Sequence, residues 1–365
     1  MSNTPKVAVV ILNWNGMKYL QQFLPSVLAS TWPNLDIVMG DNASTDGSVA
    51  MVKSLYPSIK IIENADNYGF TGGYNRVLEQ VEADYFILLN SDVEVQPGWI
   101  EPVIAMMEAD PQVAAAAPKI RSYAQKDSFE HAGAAGGFID SFGYPFCRGR
   151  MFYQIEQDHG QYDQSGEVFW ASGASLFIKK HCWDEAGGFD DRFFAHMEEI
   201  DLCWRLKNLG YKIMYCAEST IFHVGGGTLN TENPFKTYLN FRNNLLLLKK
   251  NLPFGRATFV IGMRFMLDLM ALLRFLSEGK RKDAWAVSRA HQNFVRNLFK
   301  RSPQVCRSGK PHIKKLADGT SHENGHAKPD NHRSLTGMFN GSIVAEFFVR
   351  KKTKFTDLPA ERFFK

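Results

Sequence analysis

The sequence predicts an α/β fold built on a parallel sheet with helices on both faces, followed by a helical extension. Three observations point to it. Short, near-continuous apolar runs alternate with segments whose apolar residues recur at helical spacing, the pattern of strands buried on both faces. The chain has 365 residues and 45% hydrophobic content, enough for a large core and more than one core usually holds. After residue 233 the strand pattern stops and only helical spacing continues.

In chain order, strands are expected at 7–12, 36–39, 59–62 and 85–89. Between them Tyr19, Leu20, Phe23, Leu24, Val27 and Leu28 recur at helical spacing, as do Val49, Val52 and Leu55. A second group follows: a strand-like run at 168–178, an acidic segment at 188–206 and a strand-like run at 212–224. Helices are expected at 235–252 and 257–276. Residues 301–337 are rich in Lys, Gly, Ser, His, Asn and Pro and poor in large apolar side chains, which predicts disorder. Aromatic residues return at 338–365, which reads as a docking tail. The expected division is a main domain at 1–235, a basic helical extension at 236–300, a linker at 301–337 and the tail.

The net charge of +4 hides an asymmetry. Residues 1–235 hold 16 Lys and Arg against 29 Asp and Glu, a balance of −13, whereas 236–365 hold 26 against 9, or +17. A basic second part calls for an anionic partner. No motif resembles a nucleic-acid binder, so the expected partner is an anionic membrane surface. The 257–276 run is interrupted by Arg264, Asp268 and Arg274, which share a stripe about 120° wide on a helix. That pattern suits an interfacial helix better than a spanning one, with packing on the main domain as the alternative. Five cysteines without a CxxC pair argue against a disulfide framework or a zinc site. The apolar run at 7–12 is too short for a signal-peptide core. A cytoplasmic protein, peripheral on the inner face of the cytoplasmic membrane, is therefore expected.

Ligands of open α/β sheets bind beyond the carboxyl ends of the strands. The residues there, 13–16, 40–46, 63–73 and 90–92, are polar or Gly-rich. Asp41 ends the second strand, where an acid suits ribose hydroxyls or a base imide, while Ser44 and Asp46 are explained by helix capping. In Asn67-Tyr-Gly-Phe-Thr-Gly-Gly-Tyr-Asn75, glycines lead into a helix and permit close approach to phosphates; the spacing is neither a Walker A loop nor GxGxxG. Asp92 is a lone acid just past a buried strand, suited to Mg²⁺ or Mn²⁺ on a diphosphate, with a simple turn as the alternative. His223 closes an apolar strand and can complete such a site. Glu198, Glu199 and Asp201 are hemmed in by Phe193, Phe194, Met197, Ile200 and Trp204. Carboxylates against apolar walls have raised pKa values and serve as general bases; a helix start with acids favoured by the macrodipole is the alternative.

Taken in order, NWNG at Asn13, DNASTDGS at Asp41, NYGFTGGYN at Asn67, LLNSDVEV at Leu88, ASGASLFIKK at Ala171, GGFDDRFFAHMEEIDLCWRL at Gly188 and HVGGGT at His223 closely resemble family 2 glycosyltransferases. The subgroup it resembles is the bacterial, rhamnosyltransferase-like one, and the resemblance spans residues 6 to about 250. It implies a GT-A fold, Rossmann-like and specialised for nucleotide-diphospho-sugars, with a divalent metal, Mg²⁺ or Mn²⁺, and inversion at the anomeric carbon. Asp41 would then contact the nucleoside, and Asn13, Asn67, Gly69 and Asn75 would lie along the donor. Asp92 matches the metal-binding acid of a DxD-type motif, with Asn90 where a strict DxD has its first aspartate; His223 matches a further metal ligand. Glu198 and Glu199 match the family's acidic pair, whose second member generally supplies the base, which favours Glu199. Asp201 and Arg205, four apart, read as a helix pair.

The acceptor is expected at an insertion around 130–150, where Arg148 and Arg150 could meet a pyrophosphate, with His131 and Trp170 as further candidates; an ordinary surface loop is the alternative. The implied activity is metal-dependent, inverting sugar transfer from a nucleotide-diphosphate donor to a glycan or a polyprenyl-diphosphate-linked acceptor in cell-surface polysaccharide synthesis. A sugar-phosphate nucleotidyltransferase would carry a glycine-rich loop with a basic residue near the N-terminus, which 13–16 lacks. Against a non-catalytic sugar-nucleotide binder stands the set of Asp92, Glu199 and His223.

Overall fold

The computed structural model describes residues 4–130, 133–225, 233–298 and 335–364. Strands and helices alternate first: β1 (Val7–Asn13), α1 (Met17–Leu28), β2 (Leu35–Asp41), α2 (Ser48–Leu55), β3 (Lys60–Glu63), α3 (Gly69–Leu78), β4 (Tyr85–Leu89), β5 (Val93–Val95), α4 (Glu101–Ala109) and β6 (Val113–Ser122). An insertion adds β7 (Gly137–Asp140), β8 (Pro145–Cys147), β9 (Arg150–Met151) and β10 (Gln154–Ile155). Then come β11 (Gly166–Val168), β12 (Ser175–Lys179), α5 (Lys180–Ala186), α6 (Glu198–Asn208) and β13 (Lys212–His223). The extension comprises α7 (Pro234–Asn251), α8 (Phe254–Ser277) and α9 (Arg281–Arg296), and the tail carries β14 (Met338–Phe339).

The main sheet runs β11-β13-β6-β12-β4-β1-β2-β3, with β5 paired to β13. β1 lies between β2 and β4, parallel to both, and its residues Val7 to Val10 are fully buried. This half is the expected parallel α/β layer, and α7 to α9 form the expected helical C-terminal region. The four strands expected to form a parallel sheet do so, and the strands added later make the sheet as a whole mixed. β12 runs antiparallel to both β4 and β6. It arrives from the insertion, not through a crossover helix, so no crossover constrains its direction.

The strand expected at 168–178 is two strands. Residues 166–168 pair with β13, 175–179 pair with β4 and β6, and between them the chain leaves the sheet so that Trp170 bridges to Gly137. A Cβ at Gly137 would sit 2.1 Å from the Trp170 ring. Gly137→Ala is therefore expected to lower stability by about 1–3 kcal/mol through overpacking, read as a reduced midpoint in urea unfolding.

The insertion and tail form a second sheet, β10-β9-β8-β7-β14. Asp140, 1% exposed, accepts hydrogen bonds from the backbone amides of Phe142, Tyr144 and Ile343, tying the tail to β7. Residues 301–334 of the expected linker lie outside the described residues.

Candidate functional site

Parallel register brings the ends of β1 and β2 together, with Asn13 opposite Asp41. The Asn13 amide donates to Asp41 Oδ1 at 2.8 Å, Ser44 Oγ at 3.0 Å and Ser48 Oγ at 2.8 Å, and its oxygen accepts from Gly16 N. Asp41 Oδ2 accepts from Ser44 N at 2.9 Å. Asn13 thus organises the loops, and Asp41, 2% exposed, is held from two sides. An asparagine ladder continues outward: Asn64 donates to Asn42, and Asn42 to the Gly69 carbonyl. Asn67 Oδ1 accepts from Gly69 N. Gly69 has φ +71°, and a Cβ there would meet the Phe194 ring at 2.5 Å. Its close approach is made to the segment before α6. Asn75, also expected along the donor, is a tie as well: its amide donates to the Phe189 carbonyl and Asp191 and accepts from Phe189 N.

β5 pairs antiparallel with β13, Val93 opposite His223, which sets His223 beside Asp92. The two groups expected to converge from distant sequence do so. His223 Nε2 lies 3.1 Å from Asp92 Oδ1, and Nδ1 lies 3.1 Å from Glu130 Oε2, all three side chains being 5–8% exposed. Burial alone would lower the imidazole pKa, but the two carboxylates raise it to about 10. Among the described residues no three His, Cys, Asp or Glu groups form a closed metal cage. The donor set nevertheless fits an open site. Two ligands in adjacent positions of an octahedral ion, each at ~2.1 Å, stand about 3 Å apart, as Asp92 Oδ1 and His223 Nε2 do. A carboxylate on the far nitrogen, here Glu130, is the usual support of a metal-binding imidazole.

The acidic segment enters α6 through an unusual backbone. Phe194, His196 and Met197 have φ of 65°, 69° and 72°, a left-handed region costly for such residues. The surrounding structure holds them there. Asn243 of α7, fully buried, places its amide nitrogen 2.8–2.9 Å from the carbonyls of Phe193, Ala195 and His196, while the Phe194 carbonyl accepts from Phe70 N. Asp201 is the structural acid expected: it bonds Arg205 Nε at 2.8 Å and extends to Lys250 Nζ and Asn251 of α7. Asn243→Ala is expected to lower kcat by about 10²-fold through misplacement of α6, with donor affinity unchanged, as measured by initial rates and donor titration.

Glu198 and Glu199 open α6. Glu198 is 5% exposed, whereas Glu199 is half-buried against Gly173; one oxygen of each has no partner among the described residues. Burial pushes both carboxyl groups up, Glu199 to about 7 against the pull of nearby backbone amides. Glu198 rises well above its ordinary range, the neighbouring Glu199 adding to burial. An accessible carboxyl group that ionises near neutrality is what a general base requires.

The acceptor candidates fare differently. Trp170 is core: its Nε1 donates to the Phe138 carbonyl and its ring covers Gly137. Arg148 is packing too, its guanidinium 4.7 Å from the Tyr215 ring centre and its Nε bonded to the Ala135 carbonyl. Arg150 is half-buried and bonds the Phe152 carbonyl. His131 lies outside the described residues. Glu130 and Asn243 were not anticipated as site residues; the ordered acid at the head of the insertion was a usable signal for Glu130. Lys236 at the start of α7 was missed as well; it lies within electrostatic reach of Glu130 and Arg150.

Residues 8–180 match the family model described as Glycosyl transferase family 2. An N-acetylglucosaminyl-diphospho-decaprenol L-rhamnosyltransferase of Mycobacterium tuberculosis is 26% identical over 238 residues, 60% of this chain and 76% of its own length. An O-antigen biosynthesis protein of Myxococcus xanthus is 22% identical over 60% of this chain and 17% of its own length. Among solved structures, a mannosyltransferase from Pyrobaculum calidifontis in complex with GDP-Man and Mn²⁺ aligns with a TM-score of 0.49 at 13% identity, over 83% of this chain and 78% of that one. With seven ordered motifs seated on this fold, residues 8–180 match the family 2 glycosyltransferases, and the chain is similar to a rhamnosyltransferase among them.

Proposed function

We infer that this glycosyltransferase moves a sugar from a nucleoside-diphosphate donor to a polyprenyl-diphosphate-linked acceptor in surface-polysaccharide synthesis, with inversion and with a divalent cation, Mg²⁺ or Mn²⁺. The observation that carries the reading is the pairing of an open Asp92–His223 site with a half-buried, near-neutral Glu199. The lipid-linked acceptor rests on the mycobacterial relative, whose name places an N-acetylglucosaminyl-diphospho-decaprenol in that role.

The chemistry follows from what each group can do. A sugar hydroxyl is a weak nucleophile until its proton is taken, and Glu199 accepts that proton as the oxygen attacks the anomeric carbon. The bond from that carbon to the diphosphate breaks in the same displacement, so no covalent sugar–enzyme bond and no nucleophilic side chain are needed. Asp92 and His223 would hold the cation, which when bound would supply charge neutralisation to the diphosphate. Glu130 fixes the His223 ring, and Asn243 fixes the segment that aims α6.

A panel of sugar nucleotides offered with a polyprenyl-diphosphate glycan tests the proposal. The expected result is transfer from one donor, with the product's anomeric configuration opposite to the donor's by proton NMR. Retained configuration overturns the single displacement.

A further inference from the structure

Helix α8 has its polarity reversed. Its charged residues Arg264 and Asp268 are buried, paired at 3.1 Å, and joined by His291 Nε2 of α9 at 3.0 Å from Asp268. The Arg264 guanidinium stacks 3.6 Å from the Tyr144 ring centre, whose hydroxyl reaches Asp268. The polar stripe is therefore what fastens α8 to the protein. On the opposite side Phe259, Met266, Leu269, Met270, Leu273 and Leu276 are each 47–65% exposed. At 100° per residue these six fall within an arc of about 120°, a ridge ~26 Å long. A contiguous apolar ridge of that size marks a binding surface.

Its border says what kind. Exposed Arg256 and Arg274 flank the ridge, and exposed Lys280, Arg281 and Lys282 follow it. The one acid among them, Glu278, is already paired with Arg274 and Lys280. Trp285, 60% exposed, lies one turn further on, the residue type favoured at membrane interfaces. A symmetric contact with a second copy would bring this basic border against itself, whereas anionic headgroups would neutralise it. Among the described residues no helix is long and apolar enough to cross a membrane.

We propose that α8 lies in the plane of an anionic membrane leaflet with its Phe259–Leu276 ridge sunk among the acyl chains and its basic border on the headgroups. The sequence-based expectation was an interfacial helix beside a basic region, with packing on the main domain as the alternative. Part of that charge is committed elsewhere, Lys250 to Asp190 and Asp201, and the ridge supplies an apolar anchor in its place. The proposal deepens the lipid-linked acceptor reading by bringing the enzyme to the surface where such an acceptor resides, yet its evidence is the helix itself. Failure of either is therefore seen separately.

Vesicle flotation of the full-length protein is the test, using equal parts phosphatidylglycerol and phosphatidylcholine, with phosphatidylcholine alone for comparison. The chain is expected to float with the mixed vesicles, severalfold less with phosphatidylcholine alone, and to stay bound in about 1 M salt, where surface charges are screened. Leu269→Asp/Leu273→Asp is expected to reduce partition more than about tenfold, with transfer to a water-soluble acceptor unchanged as the sign of an intact fold. Binding that salt fully releases, or a double variant that floats like wild type, overturns the proposal. So does a wild-type chain that ignores vesicles. If it then sediments as a dimer that the double variant dissociates, a second copy covers the ridge.

Discussion

Glu199→Gln is expected to cut sugar transfer by about 10²–10⁴-fold, the range lost when a general base is removed, while donor affinity stays as in wild type. The amide keeps the shape of the carboxyl group and its place against Gly173. It cannot take the acceptor proton. Glu198→Gln should have the smaller effect, because Glu198 is 5% exposed and sits deeper, within electrostatic reach of Tyr74. Initial rates with both variants, beside donor titrations, separate the two. Full loss in Glu198→Gln with activity in Glu199→Gln would place the base one residue earlier.

The second large effect is expected at Asp92. Removing its carboxylate leaves His223 as the only protein ligand of the pair, and Asp92→Ala should reduce cation-dependent donor binding by at least about 10²-fold, comparable to deleting a preorganised charge partner. Mn²⁺ binding in the presence of a nucleoside diphosphate, followed by electron paramagnetic resonance, checks this without reference to turnover. Glu130→Gln should weaken Mn²⁺ binding by about 10–100-fold, the usual cost of losing the carboxylate behind a metal-binding imidazole. Equal Mn²⁺ affinity in wild type and Asp92→Ala would remove the cation from this site.

The first four strands were legible because Val, Ile and Leu run together in them and the register of a parallel sheet then sets their ends side by side. β6 was not, since four of its buried residues are Ala114 to Ala117, a type with little strand preference that shows no periodicity. The family resemblance puts Asn13 and Asn75 along the donor. Their amides instead serve Ser44 and Ser48 in one case and Phe189 and Asp191 in the other, the latter more than a hundred residues away. Arg148 and Trp170 show the same limit: a cation of the glycine-rich insertion and an aromatic beyond it suit an acceptor site, yet Arg148 packs on Tyr215 and Trp170 covers Gly137. Of the three stripe residues on α8, Arg264 and Asp268 are buried together, whereas Arg274 is exposed. Which side faces inward depended on His291 and Tyr144, whose convergence is tertiary. Asp201 was the converse case, a helix pair with Arg205 that the fold extended to Lys250 and Asn251.

The pH dependence of kcat/KM tests the central claim most directly, that a carboxyl group raised by burial takes the acceptor proton. A base must be ionised to act, so the rate should rise with pH and level off, with an apparent pKa near 7 that belongs to the Glu198–Glu199 pair as a unit. The residual activity of Glu199→Gln should show no such rise. A variant profile that keeps the wild-type inflection would contradict the assignment of Glu199 as the base.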